Sequence, residues 1–310
     1  MRNGTSHAVC LDIGGTSVKA AVVGSDSFLL PGSAATDLVN SHGSADEILG
    51  VFAQAARRAL DFARGRGVPI AGLGVSICGP FDYEKGICQI RGLDKYESIY
   101  GVNVKEHLQG RLELSRELPF FFDVDSWSFA RGEVWTGAGK PFRRVVVFTM
   151  GTGVGSAFAI DGTIVAEGPG VPWYGWISGQ KYRSGMLNDY TSRTFMIRRY
   201  KELTGQTVEV SEMAARADAG DRHARGVFLE VGTTLAEFLR DHNLRDFKAE
   251  AIIFGGQISK ASHLFLEPLR SLMKDVRSLK AVLPAADIDG SALKGIGKFV
   301  FDRIGTNLET

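Results

Sequence analysis

The sequence predicts an α/β fold, and three observations predict it. Short apolar runs rich in β-branched and aromatic residues, such as Val145-Val146-Val147-Phe148-Thr149, alternate with longer amphipathic stretches. A strand, a Gly/Thr turn and a returning strand occur twice, in Leu11-Asp12-Ile13-Gly14-Gly15-Thr16-Ser17-Val18 and in Phe148-Thr149-Met150-Gly151-Thr152-Gly153-Val154-Gly155. The 310 residues suffice for two domains, each with a core of its own. The recurrence admits two readings at this level. One is a duplicated α/β plan in two lobes; the other is a chance likeness between two hairpins.

The elements follow in order. Residues 8–13 and 17–23 read as strands, and Gly14-Gly15 permits the tight reversal between them. Ser44 and Glu47 form a capping box that starts a helix. Its apolar face is Ile48, Phe52, Ala55, Ala56, Ala59 and Ala63, and Gly65-Arg66-Gly67 stops it. Ile70 to Ile77 reads as a buried strand ending in the loop Cys78-Gly79-Pro80. Phe120-Phe121-Phe122 reads as a strand near the start of the second half, and Ser126 to Trp135 as a helix. Strands are expected at Val145–Thr149, Val154–Ile160 and Thr163–Val165, the last two joined by an Asp161-Gly162 hairpin turn. Val227, Val231, Leu235 and Phe238 recur at helical spacing, Ala251 to Phe254 is a further buried strand, and a last helix runs from Ser291 to about Ile304.

Composition narrows the function classes. With 36 basic and 35 acidic side chains and no Lys/Arg block, nothing electrostatic points to nucleic acid or to an anionic membrane. The apolar runs are too short to span a bilayer. Only seven residues precede the first strand, so neither a signal peptide nor a helix-turn-helix domain is expected. The three cysteines form no C-x-x-C pair, which suits a reducing cytoplasm. The six histidines are scattered, so structural zinc is not expected.

A phosphate chain needs closely approaching backbone N–H groups, which glycine leaves accessible. Asp12-x-Gly14-Gly15-Thr16 adds a carboxylate for magnesium, through water, and a hydroxyl donor. Thr149, Gly151, Thr152 and Gly153 supply similar donors. Taken singly, either motif reads as an ordinary hairpin turn. Neither is a P-loop, and Ser156 breaks G-x-G-x-x-G, which disfavours a dinucleotide site.

Leu11-Asp12-Ile13-Gly14-Gly15-Thr16-x-x-Lys19 resembles the first phosphate motif of the ROK kinases, members of the actin-like ATPase and sugar-kinase superfamily. Gly79-Pro80-Phe81-Asp82 is similar to that family's Gly-Pro-x-Asp loop. Asp123-Val124-Asp125 with Ala130-x-Gly132-Glu133 is similar to its E-N-D-x-N-x-x-A-x-G-E segment. Gly151-Thr152-Gly153-Val154-Gly155 resembles its second phosphate motif, and Ile253-Phe254-Gly255-Gly256 its adenosine motif. The five stand in the family's order, roughly over residues 8 to 305, and this favours the duplicated, two-lobed reading.

The resemblance implies an actin-like ATPase (ribonuclease H-like) fold with an interlobe cleft. One lobe would be 1–118 completed by 291–310, the other 119–290. It implies ATP and Mg2+ as cofactors, Asp12 as the residue that holds the metal, and adenosine near Gly255, Gly256 and Gln257. It implies Asp125 as the base that takes a proton from an acceptor hydroxyl. Read without the family, Asp125 would be an N-cap. Asp123 is left as a structural or supporting residue; Lys19 either approaches the phosphates or is a solvated strand residue, the second reading being favoured. A homodimer in the cytoplasm is implied by the resemblance alone.

The acceptor residues depart from the family. Val124 stands where hexose kinases carry Asn, and Trp176-Ile177-Ser178-Gly179 falls on their E-x-G-H. Asn188 falls on a further glutamate, and the cysteine-rich zinc loop is missing. The acceptor is expected to be a sugar or polyol met by Gly79, Pro80, Val124, Glu167, Trp176 and Asn188. Trp173, Tyr174, Trp176, Tyr182 and Tyr190 either cover a ring face or fill the core in place of the zinc loop, two readings of equal standing. Lys181 and Arg183 would face a charged acceptor or solvent. The expected function is ATP-dependent phosphorylation of a hydroxyl on a sugar-like small molecule. The alternatives are a sensor of a sugar or nucleotide without turnover, and a phosphohydrolase.

Overall fold

The computed structural model of the protein describes residues 5–242 and 244–306. The chain divides into two compact units, Met1–Gly132 with Gly290–Thr310, and Glu133–Asp289. Residues 1–4 and 307–310 of the expected first lobe lie outside the described residues.

The first unit is built on β1 (His7–Ile13), β2 (Ser17–Gly24), β3 (Ala35–Leu38), β4 (Ile70–Ile77) and, after the short hairpin β5 (Phe81–Asp82) and β6 (Ile87–Cys88), β7 (Phe120–Val124). The sheet order is β3-β2-β1-β4-β7. β1, β2 and β3 pair antiparallel, while β1, β4 and β7 pair parallel. Strand alternation divides β1 between two cores. Val9, Leu11 and Ile13 join Ile48, Phe52 and Ala56 of helix α1 (Ala45–Gly65) on one face. Ala8 and Cys10 meet Leu293, Ile296 and Val300 of the C-terminal helix (Ser291–Thr306) on the other. Each large side chain so buried contributes about 1.5–3 kcal/mol. The capping box of α1 forms as expected, Ser44 N–H donating to Glu47 Oε2 at 2.8 Å and Glu47 N–H to Ser44 Oγ at 3.3 Å. Helix α2 (Val104–Arg111) and helix α3 (Asp125–Thr136) complete the set.

The segment 119–132, expected in the second lobe, belongs to the first unit. The reason is the ladder: Leu73 to Ile77 of β4 pair with Phe120 to Val124 of β7, and α3 leaves directly from the end of that strand. The C-terminal helix then crosses α3 closely. A Cβ on Gly132 would stand 2.0 Å from the Ser291 carbonyl oxygen, and one on Gly295 would overlap the carbonyl of Ser128. The glycine of Ala130-x-Gly132-Glu133 is therefore a packing residue.

The second unit repeats the plan. It contains β8 (Arg144–Met150), β9 (Val154–Ile160), β10 (Thr163–Val165), the small hairpin β11 (Lys181–Tyr182) and β12 (Gly185–Met186), then β13 (Ala251–Gly255) and β14 (Ala281–Pro284). The order β10-β9-β8-β13-β14 has two antiparallel pairings followed by two parallel ones, the arrangement of the first sheet. The duplicated plan is thus present in the topology. Helices α4 (Arg193–Thr204), α5 (Val210–Asp218), α6 (Arg222–His242), α7 (Leu244–Phe247) and α8 (Leu266–Leu272) accompany this sheet. The core packs Val146, Phe148 and Met150 of β8 with Val227, Val231, Leu235 and Phe238 of α6. No helix among the described residues is long and apolar enough to cross a membrane.

Candidate functional site

In the first unit three strands end side by side, and their register sets a polar row across the sheet. Asp12 of β1 lies opposite Ser76 of β4, which lies opposite Asp123 of β7. Ser76 Oγ donates to Asp12 Oδ1 at 3.2 Å. Asp123 is buried and held by Arg131 at 3.2 Å, by Ser128 Oγ at 3.3 Å and by the Val124 N–H at 2.9 Å, which makes it a brace for the start of α3. Two residues on, Asp125 opens α3 and accepts from the Ser126 N–H at 2.7 Å.

Asp12 and Asp125 are within electrostatic reach of one another. Burial pushes the Asp12 carboxyl up to about 6; the opposite residue Lys19 pulls it down, Asp125 pushes it up, and the Ser76 hydrogen bond pulls it down. Burial also raises the Asp125 carboxyl, against the charge of Lys95 and the amides of Ser126 and its own residue. Poorly solvated carboxylates with different neighbours are candidates for proton transfer. Carboxylate oxygens are also the donors that a hard divalent cation takes. Among the described residues no group of three or more His, Cys, Asp or Glu is placed to enclose a metal, so a cation at Asp12 would rely on water and ligand oxygens.

The turn between β1 and β2 is closed by the Gly14 N–H donating to Ser17 O at 2.9 Å. Gly14 and Thr16 are exposed there and Gly15 partly so. The loop after β4 carries Cys78, Gly79 and Pro80, with a cis peptide between the last two. Tyr83 comes back under it: its hydroxyl donates to Ile77 O at 3.1 Å and lies 3.0 Å from where a Cβ on Gly79 would sit. Val124, opposite Ile77, is partly buried and apolar.

Three contributors escaped the reading of the sequence. Ser76 sits in a strand that reads as continuously apolar. Tyr96, fully buried, donates its hydroxyl to the Gly14 carbonyl and so ties residues 91–103 to the turn. The charge of Lys95 acts on the Cys78 thiol and on Asp125. No periodicity marks the loop around Lys95 and Tyr96. Its one signal is a basic and an aromatic residue between Gly92 and Gly101.

In the second unit the β8–β9 turn is closed by the Gly151 N–H donating to Gly153 O at 2.9 Å, and Arg193 N–H donates to Gly151 O at 3.0 Å. Thr152 and Gly153 at the tip are exposed. Thr149, on β8 just before the turn, pairs with Gly155 and with Gly255 of β13. Gly256 follows at φ 81° and ψ 170°, and a Cβ there would stand 2.4 Å from Met150 O, so only glycine lets β13 pass this close to β8. Gln257 Nε2 donates to Asp289 Oδ1 at 3.3 Å.

The acceptor candidates of this unit separate. Asn188 Oδ1 accepts from the Val154 N–H at 3.0 Å, so its side chain holds the β8–β9 turn. Glu167 is exposed. Trp176 is 55% exposed, with its ring against Gly179. Trp173 and Tyr174 are exposed as well, their rings 4.8 Å apart. Tyr182 and Tyr190 instead pack on the core. Arg183 pairs with Glu237 at 3.3 Å, while Lys181 is exposed.

Comparison with known proteins agrees with this architecture. The chain is 24% identical over 322 residues to a glucokinase of Thermotoga maritima, covering 95% of this chain and 97% of that protein. A ROK family glucokinase from Streptomyces griseus, solved with glucose and AMPPNP, superposes with a TM-score of 0.77 at 21% identity, covering 96% of this chain and 100% of that one. A ROK hexokinase from Thermus thermophilus gives a TM-score of 0.75 at 19% identity, over 97% and 99% of the two chains. The fold is thus that of the ROK sugar kinases, the actin-like ATPase fold expected. The ROK family model matches residues 8–289, and the chain belongs to that family.

Proposed function

We propose that the protein is an ATP-dependent carbohydrate kinase that phosphorylates a hydroxyl of a sugar or sugar-like molecule, with Asp125 as general base. The observation that carries this reading is Asp125 itself. It is a carboxylate at the N-terminal end of a helix, oriented by the Ser126 N–H and set in reach of Asp12 and Lys95. A sensor that never turns its ligand over has no use for a base so placed. The named relatives, glucokinases among them, support the same class.

The proposed step is a direct displacement. The acceptor O–H donates to Asp125, the acceptor oxygen bonds to the γ-phosphorus, and the bond from that phosphorus to the bridging oxygen breaks to release ADP. Burial makes Asp125 a stronger base than an exposed aspartate, while Lys95 and the two amides favour its charged form. The Gly14-Gly15-Thr16 turn and the Thr149 to Gly153 turn each present N–H and hydroxyl donors to phosphate oxygens. Gly255, Gly256 and Gln257 would lie along the adenosine. Asp12 would hold magnesium through water, and the ion would neutralise phosphate charge. Gly79, Pro80 and Val124 border the acceptor in this reading, and Asn188 moves from the acceptor to the support of the phosphate turn.

The test is ADP release from ATP with and without a panel of sugars and polyols. Acceptor-dependent release is expected. Release without acceptor would make the protein a hydrolase, and none at all a sensor. In the Asp125→Asn variant we expect turnover to drop at least about a hundredfold with the KM for ATP retained. Turnover near that of the parent would remove Asp125 from the role.

A further inference from the structure

We propose that Tyr83 is a positioning residue for the acceptor, its hydroxyl setting the height of the Gly79-Pro80 backbone at the strand end that leads to Asp125. This rests on the kinase reading above, in which that backbone borders the acceptor, and it adds to it a residue that lies outside the motifs.

Tyr83 stands in the turn of the β5–β6 hairpin, and the hairpin is firmly closed. Phe81 pairs with Cys88 and Asp82 with Ile87. The Gly86 N–H donates to Asp82 O at 2.7 Å, the Lys85 N–H to Asp82 Oδ1 at 3.0 Å, and the Gln89 N–H to Pro80 O at 3.1 Å. The Tyr83 ring continues a column of aromatic rings. It lies 5.3 Å from Phe81, which stacks on Phe122 at 5.2 Å, and Phe122 stacks on Phe120 at 5.2 Å. Phe81, Phe122 and Phe120 are buried, so the column has little room to shift. At its end the Tyr83 hydroxyl donates to Ile77 O at 3.1 Å. Ile77 closes β4 and pairs with Val124, the residue before Asp125.

The glycine at position 79 shows what the hydroxyl does besides fastening the strand end. Gly79 does not lie in the left-handed region that favours glycine. A Cβ added there would stand 3.0 Å from the Tyr83 hydroxyl oxygen, whereas the next atoms, Phe81 N at 3.6 Å and Tyr83 Cζ at 4.0 Å, are at ordinary contact distances. The hydroxyl is therefore the atom that crowds position 79 among the described residues. One group thus meets the β4 carbonyl and the loop backbone two residues later, which fixes the loop against the strand. An acceptor resting on that loop depends on its height, since a displacement of about 1 Å at a reacting centre costs as much as about a hundredfold in rate.

The experiment measures initial-rate ADP release by the full chain, with glucose, mannose and sorbitol as acceptor probes, beside urea unfolding. It uses the parent protein, Tyr83→Phe, Gly79→Ala and the double variant. Tyr83→Phe should raise the KM of the probe that is turned over about twofold to tenfold, the range for one lost hydrogen bond, with the KM for ATP unchanged. Gly79→Ala should raise the same KM at least about fivefold, because the ring cannot withdraw from the added methyl. The double variant should return to the level of Tyr83→Phe alone, since only the ring edge then faces the methyl. The urea midpoint should follow the same cycle, falling with Gly79→Ala in the parent and not in the Tyr83→Phe background. Effects that multiply in the double variant overturn this inference, because the hydroxyl is then not what crowds position 79. So does a rise in the KM for ATP as large as that for the acceptor, the mark of a tyrosine that merely holds the unit together. An acceptor KM left at the parent value in Tyr83→Phe also overturns it, and these three outcomes leave the kinase reading standing. Absence of acceptor-dependent release with every probe removes the kinase reading, and the positioning role with it, even where the urea cycle shows the contact.

Discussion

Replacing Asn188 by alanine should weaken ATP and leave the acceptor KM where it was. The side-chain Oδ1 accepts the N–H of Val154, the buried first residue of β9, at 3.0 Å. The backbone around Asn188 is fixed independently. Its N–H donates to Ser178 O at 3.1 Å, and its carbonyl accepts from Ser192 N–H at 3.2 Å, so the 3-10 turn it sits on survives. Alanine removes only the acceptor, and a buried N–H left without one costs about 1–3 kcal/mol. The turn that bears this cost is the one proposed to hold phosphate, one residue from Gly153. If the whole penalty falls on the nucleotide-bound form, the KM for ATP rises between about fivefold and about 150-fold. If it falls equally on free and bound forms, it shows as stability instead. The assay is initial-rate ADP release, with ATP varied at saturating acceptor and then the reverse, beside a urea titration. A rise in acceptor KM with ATP KM and unfolding midpoint unchanged would refute the reasoning and return Asn188 to the acceptor.

Two further outcomes are expected. Glu133→Ala should destabilise the protein by about 3 kcal/mol or more, because this buried carboxylate accepts the N–H groups of Ala138, Ala286 and Asp287 at 2.8, 3.1 and 3.3 Å; an unchanged urea midpoint would contradict it. Asp12 titrates at about 6 in the folded chain against an ordinary 3.8, so the folded form binds the extra proton and stability falls as pH rises between those values. Free of magnesium and nucleotide, the parent should lose up to about 3 kcal/mol across that window, and Asp12→Asn should abolish that share of the slope. Equal slopes in the two proteins would show that Asp12 is not perturbed.

The fold was legible because it is written in local signals. The capping box at Ser44, the Asp161-Gly162 turn and the alternation of β1 need no knowledge of distant residues. The duplication was legible as a likeness of two hairpins and through the order of the five motifs, and the matching strand orders establish it. The boundary after Gly132 was hidden, since a strand such as Phe120-Phe121-Phe122 does not announce which sheet it will join. In the candidate site the glycines and the two aspartates stand in motifs, whereas Lys95, Tyr96 and Ser76 reach it through pairing and loop conformation. The part played by Asn188 was hidden for a related reason. An alignment supplies a position but not the direction of a side chain, and the amide here turns back toward the β8–β9 turn.

The two units build differently supported turns on one topology. In the first, the strand ends gather side-chain charge: Asp12 and Asp125 face each other's field, with Lys19 and Lys95 opposing it. Burying carboxylates in this way works against folding, since each is pushed toward its protonated form and one raises the other. In the second unit the equivalent turn, Gly151 to Gly153, is the one proposed to offer backbone N–H groups to phosphate. Their geometry is maintained by neutral contacts from Asn188, Arg193 N–H and the close passage of Gly256. Preorganised amides hold a phosphate without any group changing its protonation, whereas proton removal requires one that does. The Asp12 and Asp125 carboxylates are raised by burial in the unit that carries the proposed base, and it is there that substitutions should raise stability as they abolish turnover.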